Sequence, residues 1–273
     1  MPDTSQPSAE AAGTTRAMAQ SILAVTPDDI PEQVLHRGRQ CLLDFLGVAL
    51  GAAGEPAIGI LVDTARSLRS NPVATVLGRT ERTDAPWAAL INGSMAHILD
   101  FDDTHSPTIV HGYSAILAAE LALCESFHLP VPGTPFLAAF LAGYETSARV
   151  ALSLHPAHYD RGWHVSGTAG VFGAAAACGW LLGLSHDQMA QALGLAASQG
   201  AGLREMFGSM NKCLHVGKAA QNGLLAALLA ARGFTSSLQS LEAPRGFCRV
   251  LSDSPHPEAL TSGWGSRWEI LSA

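Results

Sequence analysis

The stretch VSGTAGVFGAAAACGWLLGL, Val165 to Leu184, carries no charged side chain over twenty residues. A run of that length could span a membrane as a helix. Ala and Gly dominate it, however, and their transfer energies are small beside those of Leu and Ile. The next segment, Met189 to Leu203, is similarly uncharged but contains Ser198, Gln199 and several glycines. Both read as central helices of a soluble core, apolar all round because other helices surround them.

The flanking sequence has the same character. Thr14 to Val25 shows helical spacing, and Thr26-Pro27-Asp28-Asp29 stops that helix and caps the next. From Pro31 to Leu50, the residues Val34, Leu35, Cys41, Leu42, Phe45, Leu46 and Ala49 recur at helical spacing, ending at Gly51. Pro56 to Leu68 is another helix, and Ala74 to Leu77, closed by Gly78, is the one β-like run. Asp84-Ala85-Pro86 sets a capping residue before a first-turn proline, which predicts a helix from about Ala85 to Leu99. Further helices are predicted at 112–127, 135–154, 166–182, 186–197 and 214–231, with Gly233 ending the last. No internal repeat or low-complexity linker interrupts them. The stretch from Ser252 to Ala273, with two prolines and two glycines, reads as an exit from the domain.

Composition points the same way. At 273 residues and 48% hydrophobic, the chain can bury a large core as one domain or two. Only 14% of residues are charged and 6% aromatic, with Ala and Gly abundant, which suits close-packed helices and predicts an all-α fold. The formal charge is -7 and no Lys/Arg run could track a phosphate backbone, so no nucleic-acid partner is expected. Cys41, Cys124, Cys178, Cys213 and Cys248 form no C-x-x-C and are expected as reduced, mostly buried thiols. The first fifteen residues lack a basic region and an apolar region, so no secretory signal is expected and a cytoplasmic setting fits. No membrane association is expected.

Chemistry concentrates in three clusters. The first is H-I-L-D-F-D-D-T-H, His97 to His105, with His111 following, where the Ala85 helix runs out. If helical geometry continues for a turn, His97, Asp100 and Thr104 share a face while Asp102 points elsewhere. Such neighbours tune each other's pKa for acid/base work, although an acidic helix terminus can equally be a solvated cap. The second is His155-Pro-Ala-His158-Tyr159-Asp160-Arg161-Gly162-Trp163-His164, just before Ser166-Gly167-Thr168 opens a helix. It is either a binding loop at a helix N-terminus or a polar connection. The third is Asn211-Lys212-Cys213-Leu214-His215-Val216-Gly217-Lys218. Cations at a helix N-terminus oppose the dipole, so stability alone does not explain them; they would suit an anion. His215 reads as a satisfied core histidine. No HExxH, EF-hand or G-x-S-x-G spacing occurs, so neither a metal nor a serine hydrolase is expected.

Together, H-I-L-D-F-D-D-T-H, G-W-H-V-S-G-T-A-G around His164, N-K-C-L-H-V-G-K-A-A around Lys212 and L-E-A-P-R-G-F at 241–247 resemble the MmgE/PrpD family. This group includes 2-methylcitrate dehydratase, cis-aconitate decarboxylase and iminodisuccinate epimerase. The resemblance implies a helical domain, a smaller α/β lid, a site between them that needs no metal or other cofactor, and a homodimer. By motif position it assigns Asp100, Thr104, His111, His164 and Lys212 to that site. His111 and His164 would exchange protons, Asp100 would tune its neighbours, and Thr104 and Lys212 would bind substrate, Lys212 through a carboxylate. The expected boundaries are a disordered start at 1–14, the helical domain at 15–251 and an irregular tail at 252–273, with the lid outside this sequence and apolar surface left exposed. The implied function is a lyase, foremost a hydro-lyase, on a small di- or tricarboxylate such as 2-methylcitrate. The alternatives are a catalytically silent helical domain that dimerises or scaffolds, and an epimerase or decarboxylase of the same family.

Overall fold

The computed structural model describes residues 13–273. The expected disordered start therefore lies, for residues 1–12, outside the described residues. Those described form eleven α-helices and one two-stranded ladder, an all-α architecture. The helices are α1 (Thr14–Leu23), α2 (Glu32–Gly51), α3 (Pro56–Ser67), α4 (Ala85–Ile98), α5 (Tyr113–Ser126), α6 (Gly133–Leu154), α7 (Ala157–Asp160), α8 (Val165–Leu181), α9 (His186–Ala197), α10 (Asn211–Ala231) and α11 (Phe247–Leu251).

The uncharged stretch is the centre of the molecule. Every residue of α8 from Val165 to Gly179 is buried, and α5, α6, α9 and α10 pack around it. Among the described residues no single helix is long and apolar enough to cross a membrane. Small residues allow the close approach. A Cβ built on Gly143 of α6 would lie 2.7 Å from the Gly173 carbonyl oxygen of α8, so a side chain there would force the helices apart. On α4, a Cβ at Gly93 would meet the Gly217 backbone of α10 at 3.2 Å. Gly167 of α8 lies against His215 of α10 and Ala174 against Gly223, so α8 and α10 run side by side in the same direction and their N-termini share one end of the molecule with the C-terminus of α4.

Start signals act as the residues dictate. The Asp84 carboxylate accepts from Trp87 N at 2.9 Å, and Ser185 with Gln188 forms a reciprocal capping box on α9. Three expectations need correction. The extended run is only β1 (Ala74–Thr75), and it pairs antiparallel with a second strand, β2 (Arg82–Thr83), that carries no strand pattern of its own. Two polar residues show no alternation, and the pairing depends on the Arg82 guanidinium reaching Thr75 Oγ1 and the Val73 carbonyl. The helix expected from residue 214 is α10 and begins at Asn211, so Lys212 is itself in its first turn. The C-terminal stretch is irregular but does not leave the domain: Leu260, Trp268 and Ile270 are buried in the core. Apolar surface does stand open on α2 and on the loop after α4, where Leu43 is 74% and Phe101 73% exposed.

Candidate active site

The end shared by α4, α8 and α10 gathers the polar clusters. α4 finishes at Ile98, one residue after the buried His97. The expected extra helical turn does not form, because Asp100 adopts φ 59°, a left-handed conformation that Asp tolerates better than most residues. The chain therefore turns back on the helix. Asp102, expected to point elsewhere, lies beneath His97 and accepts from its Nδ1 at 2.8 Å. The same Oδ2 accepts from Ser114 Oγ of α5 at 2.7 Å. His111 Nδ1 lies 3.1 Å from the other oxygen of Asp102, an ion-pair contact off the hydrogen-bond line, and His111 Nε2 is 3.9 Å from Asp100 Oδ1. Lys212 Nζ reaches across from α10 to donate to Asp100 Oδ1.

His164 supplies the other wall as the N-cap residue of α8, with its backbone N–H donating to the Gly202 carbonyl at 3.0 Å. Its ring stacks on His97 with centroids 5.5 Å apart, and His97 meets His111 edge-on at 4.6 Å. His164 Nδ1 and His215 Nδ1 are 3.0 Å apart, so one ring carries the hydrogen and the other the lone pair. Phe207 closes the corner against both His164 and Lys212. Four of the five residues expected in the site thus converge: Asp100, His111, His164 and Lys212. Thr104 does not join them; it is exposed beyond the turn and makes no hydrogen bond among the described residues. His97, Asp102 and His215 were not selected as site residues. The spacing of His97 and Asp102 gave no sign of their contact, because it depends on the positive φ at Asp100. His215 is only half-buried and faces His164, so it is not a core histidine.

Electrostatics divides the histidines. Burial alone would lower the His111 pKa, but the Asp102 carboxylate outweighs it and raises the value above 6.5. His164 goes the other way: burial first, then the positive potential of His97, His215, His111 and Lys212, push it down to about 2. Asp102 and Asp100 are both held below the usual carboxylate range despite burial, by His97 and His111 for the first and mainly by Lys212 for the second. Asp103 faces away, accepting from Tyr113 N and Tyr144 Oη, and burial lifts it to about 6.

Other expected functional groups serve the scaffold. His158 is buried and stacked on Trp163, with its nitrogens on the Leu251 carbonyl and Thr168 Oγ1. His105 bonds Thr108 and Glu269, Arg161 pairs with Asp253, and Lys218 is exposed beside Gln221. One atom each of His97, Asp100, Asp102 and His111 falls within 4.8 Å of the others, close enough to surround a cation. The Lys212 ammonium already occupies Asp100, and Asp102 Oδ2 is taken by His97 and Ser114, so a cation would have to displace these donors. The corner offers an anion more: an ammonium group and the N-termini of two long helices.

Comparison with known proteins matches residues 16–260 to the MmgE/PrpD N-terminal domain. The chain is 32% identical to a cis-aconitate decarboxylase-like protein of Aspergillus oryzae over 93% of its own length and 56% of that protein. It is 30% identical to cis-aconitate decarboxylase of Aspergillus terreus, covering 95% of this chain and 55% of the relative. With the human cis-aconitate decarboxylase the identity is 30% over 85% of this chain and 49% of the relative. The chain spans about half the length of the curated relatives it matches.

Proposed function

The chain belongs to the MmgE/PrpD family through that family's N-terminal domain, and we propose that it carries the acid/base site of a lyase acting on a small di- or tricarboxylate. The observation that carries this reading is the opposed setting of two neighbouring histidines. His111 is biased toward its protonated form and His164 toward its neutral form, both against the ring of His97. A pair with pKa values pushed apart supplies an acid and a base at the same pH.

The roles follow from position. Lys212 and the N-termini of α8 and α10 would hold a substrate carboxylate, Lys212 leaving Asp100 to do so. In a dehydration, His164 takes the proton next to a carboxylate while His111 protonates the departing hydroxyl. In the decarboxylation of an allylic tricarboxylate, carbon dioxide leaves, its electron pair forms the new alkene, and His111 protonates the carbon at the far end of the shifted double bond. Cis-aconitate is the first substrate to assay, because the relatives named above bear that activity in their names. Dehydration of 2-methylcitrate is the second.

Incubation of the purified chain with cis-aconitate, 2-methylcitrate and citrate, followed by alkene absorbance and product mass, tests this. Turnover is expected to fall about 100-fold or more in His111→Ala and in His164→Ala, the range for loss of a general acid or base. Lys212→Met is expected to weaken substrate binding. Binding without turnover by the folded protein would remove the lyase reading. The reading includes a cytoplasmic homodimer, supported by the family resemblance and by five free cysteines, and sedimentation velocity checks the dimer.

A further inference from the structure

Asp102 is buried, ionised and unused by the chemistry just described. Its Oδ2 accepts from His97 Nδ1 and Ser114 Oγ, while Oδ1 has His111 Nδ1 at 3.1 Å and no hydrogen bond. A carboxylate with no exposed side-chain surface is stable only with donors turned toward it. His97 therefore presents Nδ1–H to Asp102, and His111 turns its Nδ1 to the same carboxylate at ion-pair distance. For His97 that leaves Nε2 bare, buried and without a partner. For His111 it directs Nε2 toward Asp100, the carboxylate that Lys212 also holds.

We propose that Asp102 is the positioning residue of this site, one carboxylate that holds His97 and His111 by their Nδ1 atoms and fixes which nitrogen each leaves free. His97 is the spacer in this arrangement. Its ring packs against both the His111 ring and the His164 ring, so the grip of Asp102 on His97 fixes the surface on which the acid and the base both rest. The charged and titratable groups around the assembly are Asp100 and Asp103 from the loop, His164 from α8, and Lys212 and His215 from α10. None of these meets both rings at Nδ1 as Asp102 does. The inference rests on the lyase reading only for what the free nitrogens do; the His97 tautomer stands on geometry alone.

The test is two-bond proton–nitrogen correlation NMR on the 273-residue protein with ¹⁵N-labelled histidine, across pH. His97 is expected as the Nδ1–H tautomer, and His111 is expected to titrate above 6.5. In Asp102→Asn the His111 midpoint is expected to fall by about one unit or more, since an opposite charge at this range shifts a pKa by roughly 1–3 units. A wild-type His97 protonated at Nε2, or an unmoved His111 midpoint in the folded variant, would overturn the proposal. If Asp102→Asn does not fold, the wild-type tautomer decides alone. In the turnover assay Asp102→Asn is expected to lower kcat with KM little changed, with partial recovery in Asp102→Glu; a change in KM alone overturns the positioning role. Absence of turnover in the wild-type protein counts against the lyase reading and leaves the tautomer result standing.

Discussion

Glu120 sits on α5 with both carboxylate oxygens buried and no hydrogen-bond partner. Burial pushes its pKa well above 4.5, so it folds as the neutral acid. A folded value above the unfolded one means that the protein is favoured most below about pH 4.5 and loses this contribution as pH rises toward the folded value. Glu120→Met keeps the volume and removes the polar group. It is expected to stabilise the protein by about 1–3 kcal/mol at pH 8 and to flatten the pH dependence, as read from urea midpoints. An unchanged slope would mean that other groups carry it. In the site, the sign runs on His111: activity is expected to decline as pH rises through its elevated pKa, with no acid limb from His164 above about pH 3 because burial keeps that ring neutral. A pH profile of kcat/KM checks this, and Asp102→Asn is expected to move the alkaline limb toward acid. The polar clusters are legible in the sequence as groups at helix ends, and the family resemblance is what singles out Asp100, His111, His164 and Lys212 within them. Thr104 lies away from the corner, and Asp102 and His97 meet in it, for one shared reason, the left-handed turn at Asp100, which periodicity does not encode.

At the scale of elements, helix spacing in α6, α8 and α10 is set by glycines facing backbone. Gly143→Val would drive a methyl group into the Gly173 carbonyl, Ala177 Cβ and Ile116 Cγ2, all within 3.0 Å of the new Cβ. A cost of about 1–3 kcal/mol is expected, the range for overpacking, read as a lower Tm. Gly59 is the control: it lies inside α3 with nothing within 4 Å of a new Cβ. Gly59→Ala is expected to raise stability by about 0.5–1 kcal/mol through backbone entropy alone. If both substitutions shift Tm equally, packing is not the cause. The helices were readable because apolar spacing and caps are local properties: α9 matches its expected limits at His186 and Ala197, and α4 ends one residue short. β2 was not readable, since Arg82 and Thr83 become a strand only when Val73 to Thr75 lie beside them.

At the scale of the whole molecule, residues 262–272 pack back onto α6 and the loop before α5, and one buried ion pair holds them. Arg149 of α6 is fully buried, pairs with Glu145 at 3.2 Å, donates to the Ser262 and Arg267 carbonyls, and lies over the Trp264 ring. Glu145 accepts from Glu269 N and Ile270 N, and burial raises it to about 7. Glu269 then reaches His105, and Ser106 N donates to the Ser272 carbonyl, so the same segment braces the loop that carries Asp102 and His111. Arg149→Met should leave Glu145 buried and unpaired at a cost of about 3–5 kcal/mol, whereas the pair Arg149→Met with Glu145→Gln removes both charges and should recover much of it. Hydrogen exchange separates the local consequence from the global one. If the segment is a brace, amides of 262–272 and of the 100–111 loop should lose protection together in Arg149→Met, ahead of those in α8. Loss confined to 262–272 would mean that the loop is held by α4 and α5 without it. Simultaneous loss everywhere would mean that the segment belongs to the same cooperative unit as the central helix.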